Sequence, residues 1–140
     1  MDGQLKVTNM KHDEGKPQSI NFYWDGLRNS NQRYQSVIAC FQKFIETPTL
    51  DTLVNFQAMF IEASKFSDKN VDELMHVYDY GAQLYGDKNY KGLEIDRFIN
   101  AMGRHLSKEL LTYNGIDDDS GYPHKVHVMA NILIAAELIN

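Results

Sequence analysis

Apolar residues recur at intervals of three and four along most of this chain, the spacing that lines one face of an α-helix. The pattern predicts four helices, over residues 33–46, 50–66, 71–85 and 93–113. Thr49 is the predicted N-cap of the second helix, and Asn70 with Glu73 resembles a capping box before the third. Pro123 fits the first position of a fifth helix.

No stretch alternates polar and apolar residues for long enough to predict a β-strand. The predicted fold class is therefore all-α, a compact bundle of four to five helices in a single domain over residues 1–140. Residues 1–16 are polar and contain glycine, so they are predicted to form an irregular N-terminal arm. The aromatic residues Phe22, Tyr23 and Trp24 predict a short element that packs and then turns.

Charge and composition argue against several classes of function. Asp and Glu number 19 against 14 Lys and Arg, which gives a net charge of −5. Duplex nucleic acid and anionic membranes are unexpected partners, because neutralising phosphates supplies most of that affinity. Without an apolar leader or a long apolar run, the protein is expected to be soluble and cytoplasmic. The single Cys40 excludes an internal disulfide, and its apolar neighbours favour a small core residue.

The fifth predicted helix has polar residues that a bundle does not need. His124, His127 and Asn131 share one of its faces. Two histidines one turn apart can bind one metal ion or one phosphate, although half-buried histidines bonded to carbonyls are an alternative. Just before them, the run Asp117 to Asp119 offers the oxygen ligands that Mg²⁺ or Mn²⁺ prefers. An exposed acidic loop at a helix N-terminus explains that run equally well.

The fourth predicted helix adds a basic stripe. Arg97 and Arg104 are seven residues apart and point the same way, beside His105 and Glu109. Planar guanidinium groups suit bidentate contact with phosphate, and a solvated basic face is the alternative. Two other segments offer ligand-binding groups, in the arm and in the turn after the third helix: Lys11, Lys16, Tyr85, Lys88, Asn89 and Tyr90.

Several spaced motifs occur in a fixed order: K-H-D-E-G-K-P at 11–17, Y-G-A at 80–82, N-Y at 89–90, Arg97 with Ala101, R-H at 104–105, and a run of Asp, Ser-Gly, two His and Asn over 117–131. Together they resemble the phage and bacterial family of dATP/dGTP diphosphohydrolase-like proteins, N-terminal type. The resemblance covers residues 11–18 and 71–138. It implies a helical protein that converts a purine deoxynucleoside triphosphate to the monophosphate and pyrophosphate with Mg²⁺ or Mn²⁺. Analogy with helical nucleotide pyrophosphatases adds the expectation of a homo-oligomer.

The resemblance also implies roles for single residues. Phosphate and nucleoside contacts fall to Lys11, Lys16, Lys88, Asn89, Arg97, Arg104 and Asn131, with Tyr85 or Tyr90 against the base. Metal ligands would be Glu109, Asp117 and Asp119. Ligand or acid–base functions fall to His105, Asp119, His124 and His127.

Departures from the family pattern leave a second function open. The usual Gly-Glu pair aligns with Tyr113-Asn114, so one carboxylate is lost, and the usual Glu before Ser-Gly is Asp119. Residues 17–70 have no counterpart and are predicted to be an insertion before a nucleotide-binding core over 71–140. The alternative function is a catalytically silent phage protein that sequesters a host nucleotide or a nucleotide-derived signal against host defence. A regulatory partner protein with a vestigial pocket is a third.

Overall fold

The computed structural model describes residues 15–85, 92–112 and 115–139. Its helices are α1 Trp24–Ser30, α2 Gln35–Glu46, α3 Leu50–Ser64, α4 Asp68–Tyr85, α5 Ile95–Thr112 and α6 His124–Leu138, and a 3₁₀ turn at Ser19–Asn21 precedes them. These described ranges contain no β-strand, only an isolated antiparallel bridge between Ile116 and Pro123. The all-α prediction is confirmed.

Helix α1 is the one that periodicity did not predict. It spans seven residues, of which Trp24 and Leu27 are buried, and two apolar positions are too few to establish a period. The Trp24 indole N–H donates to the carbonyl of Ser19 at 2.8 Å, which fixes α1 against the preceding 3₁₀ turn. The predicted short packing element is thus a helix in its own right.

Local hydrogen bonds explain where two other helices begin. At the start of α3 the Thr52 N–H donates to the Thr49 hydroxyl at 3.2 Å, as the predicted N-cap requires. The cap of α4 lies three residues earlier than predicted. There the Asn70 N–H donates to the Ser67 hydroxyl at 3.3 Å, and the Ser67 N–H donates to the Asn70 side-chain oxygen at 2.9 Å. The Asn70 amide group then donates to Glu73 at 2.8 Å, inside the helix.

Helix α6 lies at the centre of the packing, against α3, α4 and α5. Its buried side chains point in all directions, as expected of a helix surrounded by others: Val126, Val128, Met129, Ala130, Ile132 and Ala135. Helix α2 packs on α1 and α3 and contributes buried Phe41 and Phe44. Cys40 is half-buried at the edge of this core, and burial raises the pKa of its thiol. None of the helices in the described ranges is both long enough and apolar enough to cross a membrane.

Candidate active site

Three side chains of the kinds that bind metal ions converge where α5 and α6 meet. His105 comes from α5, His124 is the first residue of α6, and Asp117 lies in the connection between the two helices. The two Nδ1 atoms of the histidines are 3.0 Å apart. One ligand atom from each of the three residues lies within 4.8 Å of the others, which is the one such group in the described part of the chain. We call these three residues the His–Asp cluster.

The connection delivers Asp117 because it closes on itself. The Asp117 N–H donates to the carbonyl of Tyr122, and the Gly121 N–H donates to the carbonyl of Asp117, both at 2.8 Å. The His124 N–H reaches back to the carbonyl of Gly115 at 3.0 Å. Gly121 has a φ of +79°, a conformation that glycine adopts without steric cost. The turn over residues 115–124 therefore positions the carboxylate before α6 begins.

A second layer of contacts surrounds the cluster. The His127 ring stacks on that of His105, with centroids 4.6 Å apart and planes 17° apart. His127 Nε2 is 2.6 Å from the Ser120 hydroxyl and 3.8 Å from an Asp117 carboxylate oxygen. That hydroxyl also accepts the Tyr122 N–H at 3.1 Å, and the Ser120 N–H donates to Asp117 at 3.0 Å. The family resemblance includes Ser120 in a motif but assigns it no role.

Burial biases the protonation state of His124. His124 is buried, and this desolvation, reinforced by the nearby charge of Lys108, lowers the pKa of its imidazole. Asp117 and Asp118 oppose the shift with less effect. His124 is therefore biased toward the neutral form, whose nitrogen lone pair is the one that a metal ion binds.

The donor set fits a divalent transition metal better than Mg²⁺. Two nitrogens at about 2.1 Å from one ion are about 3.0 Å apart at the right angle of an octahedral site, so the Nδ1 atoms of His105 and His124 are close enough to share one ion. Imidazole nitrogens suit ions such as Zn²⁺ and, with a carboxylate, Mn²⁺, whereas Mg²⁺ prefers oxygen ligands throughout.

The basic stripe of α5 lies beside the end of the N-terminal arm. The Arg104 guanidinium donates to the carbonyl of Pro17 at 3.1 Å, which places exposed Lys16 next to this helix. Arg97 is half-buried two turns earlier on α5. This bond joins two residues that are 87 positions apart in the sequence.

Gly103 makes that contact possible. A Cβ at this position would overlap the side chain of Ser19, so only glycine lets the 3₁₀ turn lie on α5. Asn100, one turn before, accepts the Ile20 N–H at 3.2 Å and the Ser19 hydroxyl at 3.4 Å. Arg104 and Asn100 therefore hold Pro17 and the 3₁₀ turn on α5.

Other predicted site residues are not members of the His–Asp cluster. Asp119 is exposed in the turn, and Asn131 is buried one turn beyond His127, whose carbonyl it binds at 2.8 Å. Glu109 is 2% exposed, and its Oε1 has no hydrogen-bond partner among the described residues. Burial raises the pKa of this carboxyl, against the opposing charges of Lys125 and Arg33. Outside the described residues lie Lys11, Lys88, Asn89, Tyr90 and the side chain of Tyr85.

Residues 57–140 match the protein family described as "dATP/dGTP diphosphohydrolase, N-terminal". A protein of Salmonella phage PMBT28 named "dATP/dGTP diphosphohydrolase" is 35% identical over 69 residues. The alignment covers 49% of this chain and 23% of that relative, so the chain spans about a quarter of its length. No solved structure matches the chain. The family match begins within α3 and includes the whole His–Asp cluster.

Proposed function

This chain belongs to the dATP/dGTP diphosphohydrolase, N-terminal family, and from that premise we propose that it hydrolyses a purine deoxynucleoside triphosphate to the monophosphate and pyrophosphate. The proposal is supported above all by the His–Asp cluster, in which His105, His124 and Asp117 approach within binding distance of one ion. The homologous phage protein is named "dATP/dGTP diphosphohydrolase".

The His–Asp cluster would hold the divalent ion, with Mn²⁺ favoured over Mg²⁺ by its two nitrogen donors. A bound ion neutralises phosphate charge and makes a coordinated water more acidic. The bias of His124 toward its neutral form at neutral pH supports this role. Asp119, the second predicted carboxylate ligand, lies on the exposed side of the turn and would take part from there.

The remaining residues bind the phosphates and move the proton. Arg97, Arg104 and Lys16 offer three cationic groups along one side of α5 for the triphosphate. The oxygen of water forms a bond to the α-phosphorus, and the bond from that phosphorus to the oxygen it shares with the β-phosphate breaks, which releases pyrophosphate. The Ser120 hydroxyl and His127 Nε2, 2.6 Å apart, would take the proton that water loses.

The test is an incubation of the purified chain with each of the four deoxynucleoside triphosphates plus Mn²⁺ or Mg²⁺, with products resolved by anion-exchange chromatography. We expect monophosphate and pyrophosphate from dATP or dGTP. Asp117→Asn should reduce turnover about a hundredfold, since one ligand of the ion is lost. Asp118→Asn is the matched control, because it removes the same charge from an exposed neighbour in the same turn.

Three results would contradict parts of this proposal. An unchanged nucleotide profile alongside tight binding of one nucleotide would replace hydrolysis with sequestration. Equal turnover in Asp117→Asn and Asp118→Asn would remove the His–Asp cluster from the reaction. Normal turnover in Asp119→Asn would remove that exposed carboxylate from the mechanism.

We further propose that residues 71–140 form the nucleotide-binding core and that the chain assembles as a homo-oligomer, as expected for helical nucleotide pyrophosphatases. Size-exclusion chromatography with light scattering tests the assembly. A mass of 16.1 kDa in solution would identify a monomer and contradict it.

A further inference from the structure

One pair of aromatic rings near the cluster has no role in the reaction described above. The rings of His76 on α4 and Tyr122 in the turn before α6 are parallel within 5°, with centroids 6.4 Å apart. Interacting aromatic rings have centroids about 4.5–7 Å apart, so this pair lies near the long end of the range. His76 is exposed and Tyr122 is half-buried, which leaves ring surface open to a ligand.

The pair is held firmly beside the His–Asp cluster. The Tyr122 N–H donates to the Ser120 hydroxyl at 3.1 Å, and its carbonyl accepts the Asp117 N–H at 2.8 Å. On the other side, the Tyr78 hydroxyl donates to the carbonyl of Ala130 at 3.0 Å and fixes α4 against α6. Both rings are therefore carried by backbone that is tied to the elements forming the site.

We propose that the His76–Tyr122 pair is the stacking surface for the base of the bound nucleotide. This inference rests on the proposed function, because it assigns the base of the same substrate. The Tyr122 carbonyl accepts the Asp117 N–H, so the same turn carries the ring and the carboxylate, and a base stacked on the pair would extend its phosphates toward the His–Asp cluster. Stacking on aromatic rings is strong and accepts any base, and a purine has the larger face. The pair therefore explains acceptance of both adenine and guanine better than hydrogen bonds specific to one base would.

Binding measurements with and without a base test this assignment. Isothermal titration calorimetry in Mn²⁺ would compare α,β-methylene-dGTP, which resists hydrolysis between those phosphates, with inorganic tripolyphosphate, which has no base. We expect Tyr122→Leu and His76→Leu each to weaken binding of the nucleotide analogue about tenfold and to leave tripolyphosphate binding unchanged. Tyr122→Phe keeps the ring and should bind as the wild type does. Tyr23→Leu is the matched control, since its ring is 83% exposed beside Phe22.

A second variant and a folding control separate the possible failures. Because His76 is exposed, its variant tests the proposal even if Tyr122→Leu fails to fold, and circular dichroism reports the folding of both. Wild-type affinity for the analogue in both leucine variants would overturn the stacking role while leaving the phosphate chemistry intact. Tripolyphosphate and analogue binding equally well to the wild type would do the same. If neither compound binds, the proposed function fails and this inference fails with it.

Discussion

Aromatic rings pack against one another in two regions of the molecule, the apolar core around α1 to α3 and the group of histidines between α5 and α6. In the core, Trp24 and Phe41 have centroids 4.9 Å apart, and Phe41 and Phe56 are 5.2 Å apart, with both phenylalanines fully buried. Between α5 and α6, the ring centroids of His105 and His127 are 4.6 Å apart. The core contacts are apolar and non-directional, whereas the His127 ring is also oriented by its contact with the Ser120 hydroxyl, and the Nδ1 atoms of His105 and His124 face each other. Stability should therefore depend on the first region and activity on the second.

The largest stability effect should come from the aromatic core. Phe56→Ala removes a fully buried ring between Phe41 and Phe60, and the cavity should cost about 3–5 kcal/mol of unfolding free energy. Urea denaturation followed by circular dichroism measures it. Val54→Ala on the exposed side of α3 should stay within about 0.5 kcal/mol. His105→Ala should cost less than Phe56→Ala and abolish turnover, so a larger loss of stability in His105→Ala would contradict the comparison.

Gly103→Ala should affect both regions at once. The added methyl group would displace Ser19 and contact Phe41, at an expected cost of about 1–3 kcal/mol. Moving the 3₁₀ turn also moves Lys16 relative to Arg104, so tripolyphosphate should bind more weakly. Gly81→Ala is the matched control in α4, where nothing lies within 4 Å of an added Cβ. Because alanine favours the helix over glycine, this change should raise the free energy of unfolding by about 0.5–1 kcal/mol. Equal stabilities of the two variants would show that the turn does not depend on Gly103.

Ser120→Ala should separate activity from stability. It removes the hydroxyl that bonds His127 and accepts the Tyr122 N–H, and the free energy of unfolding should fall by about 1 kcal/mol. Turnover should fall more than tenfold, since the proton path through this hydroxyl is lost. Ser30→Ala in α1 loses one bond to the carbonyl of Leu27 and serves as control. Unchanged turnover in Ser120→Ala would leave this hydroxyl with a structural role only.

Glu109→Gln should have the smallest effect, and its size should depend on pH. Burial raises the pKa of this carboxyl, so the folded state holds a proton that the unfolded state releases. The wild type therefore loses stability as pH rises from the ordinary value of 4.5 through the raised folded value, and the non-titrating variant does not. In thermal melts, the melting temperature of the variant relative to the wild type should be higher at pH 8 than at pH 4. Glu62→Gln, at an exposed position of α3, is the control, and a reversed trend would contradict the burial argument.

Most helices could be predicted because their signal is local. Val37, Phe41 and Phe44 on α2 recur at helical spacing, and all three are buried. The start of α4 could not be placed from spacing alone, since two polar pairs, Ser67 with Asn70 and Asn70 with Glu73, both resemble caps. Their hydrogen bonds decide between them, because the Asn70 N–H donates to Ser67 and so makes Ser67 the capping residue.

The candidate site was only partly predictable, because it joins two helices through a turn. His124 and His127 share a face by spacing alone, but the approach of His105 depends on how residues 115–124 close. Spacing cannot decide which of three consecutive aspartates faces inward. The backbone hydrogen bonds of Asp117 turn its carboxylate toward the histidines, whereas Asp119 stays exposed. Ser120 acts through two hydrogen bonds that no periodicity signals.

The closure of the turn over residues 115–124 has a dynamic consequence. Three backbone bonds, donated by Asp117, Gly121 and His124, tie the turn to itself and to the start of α6. Breaking any one of them loosens the others, so the segment is expected to open as one cooperative unit. These three amides should then exchange with deuterium at a common rate, which a bound metal ion slows for all three together. The site is assembled or absent as a whole, and the fraction of time it spends closed sets an upper limit on turnover.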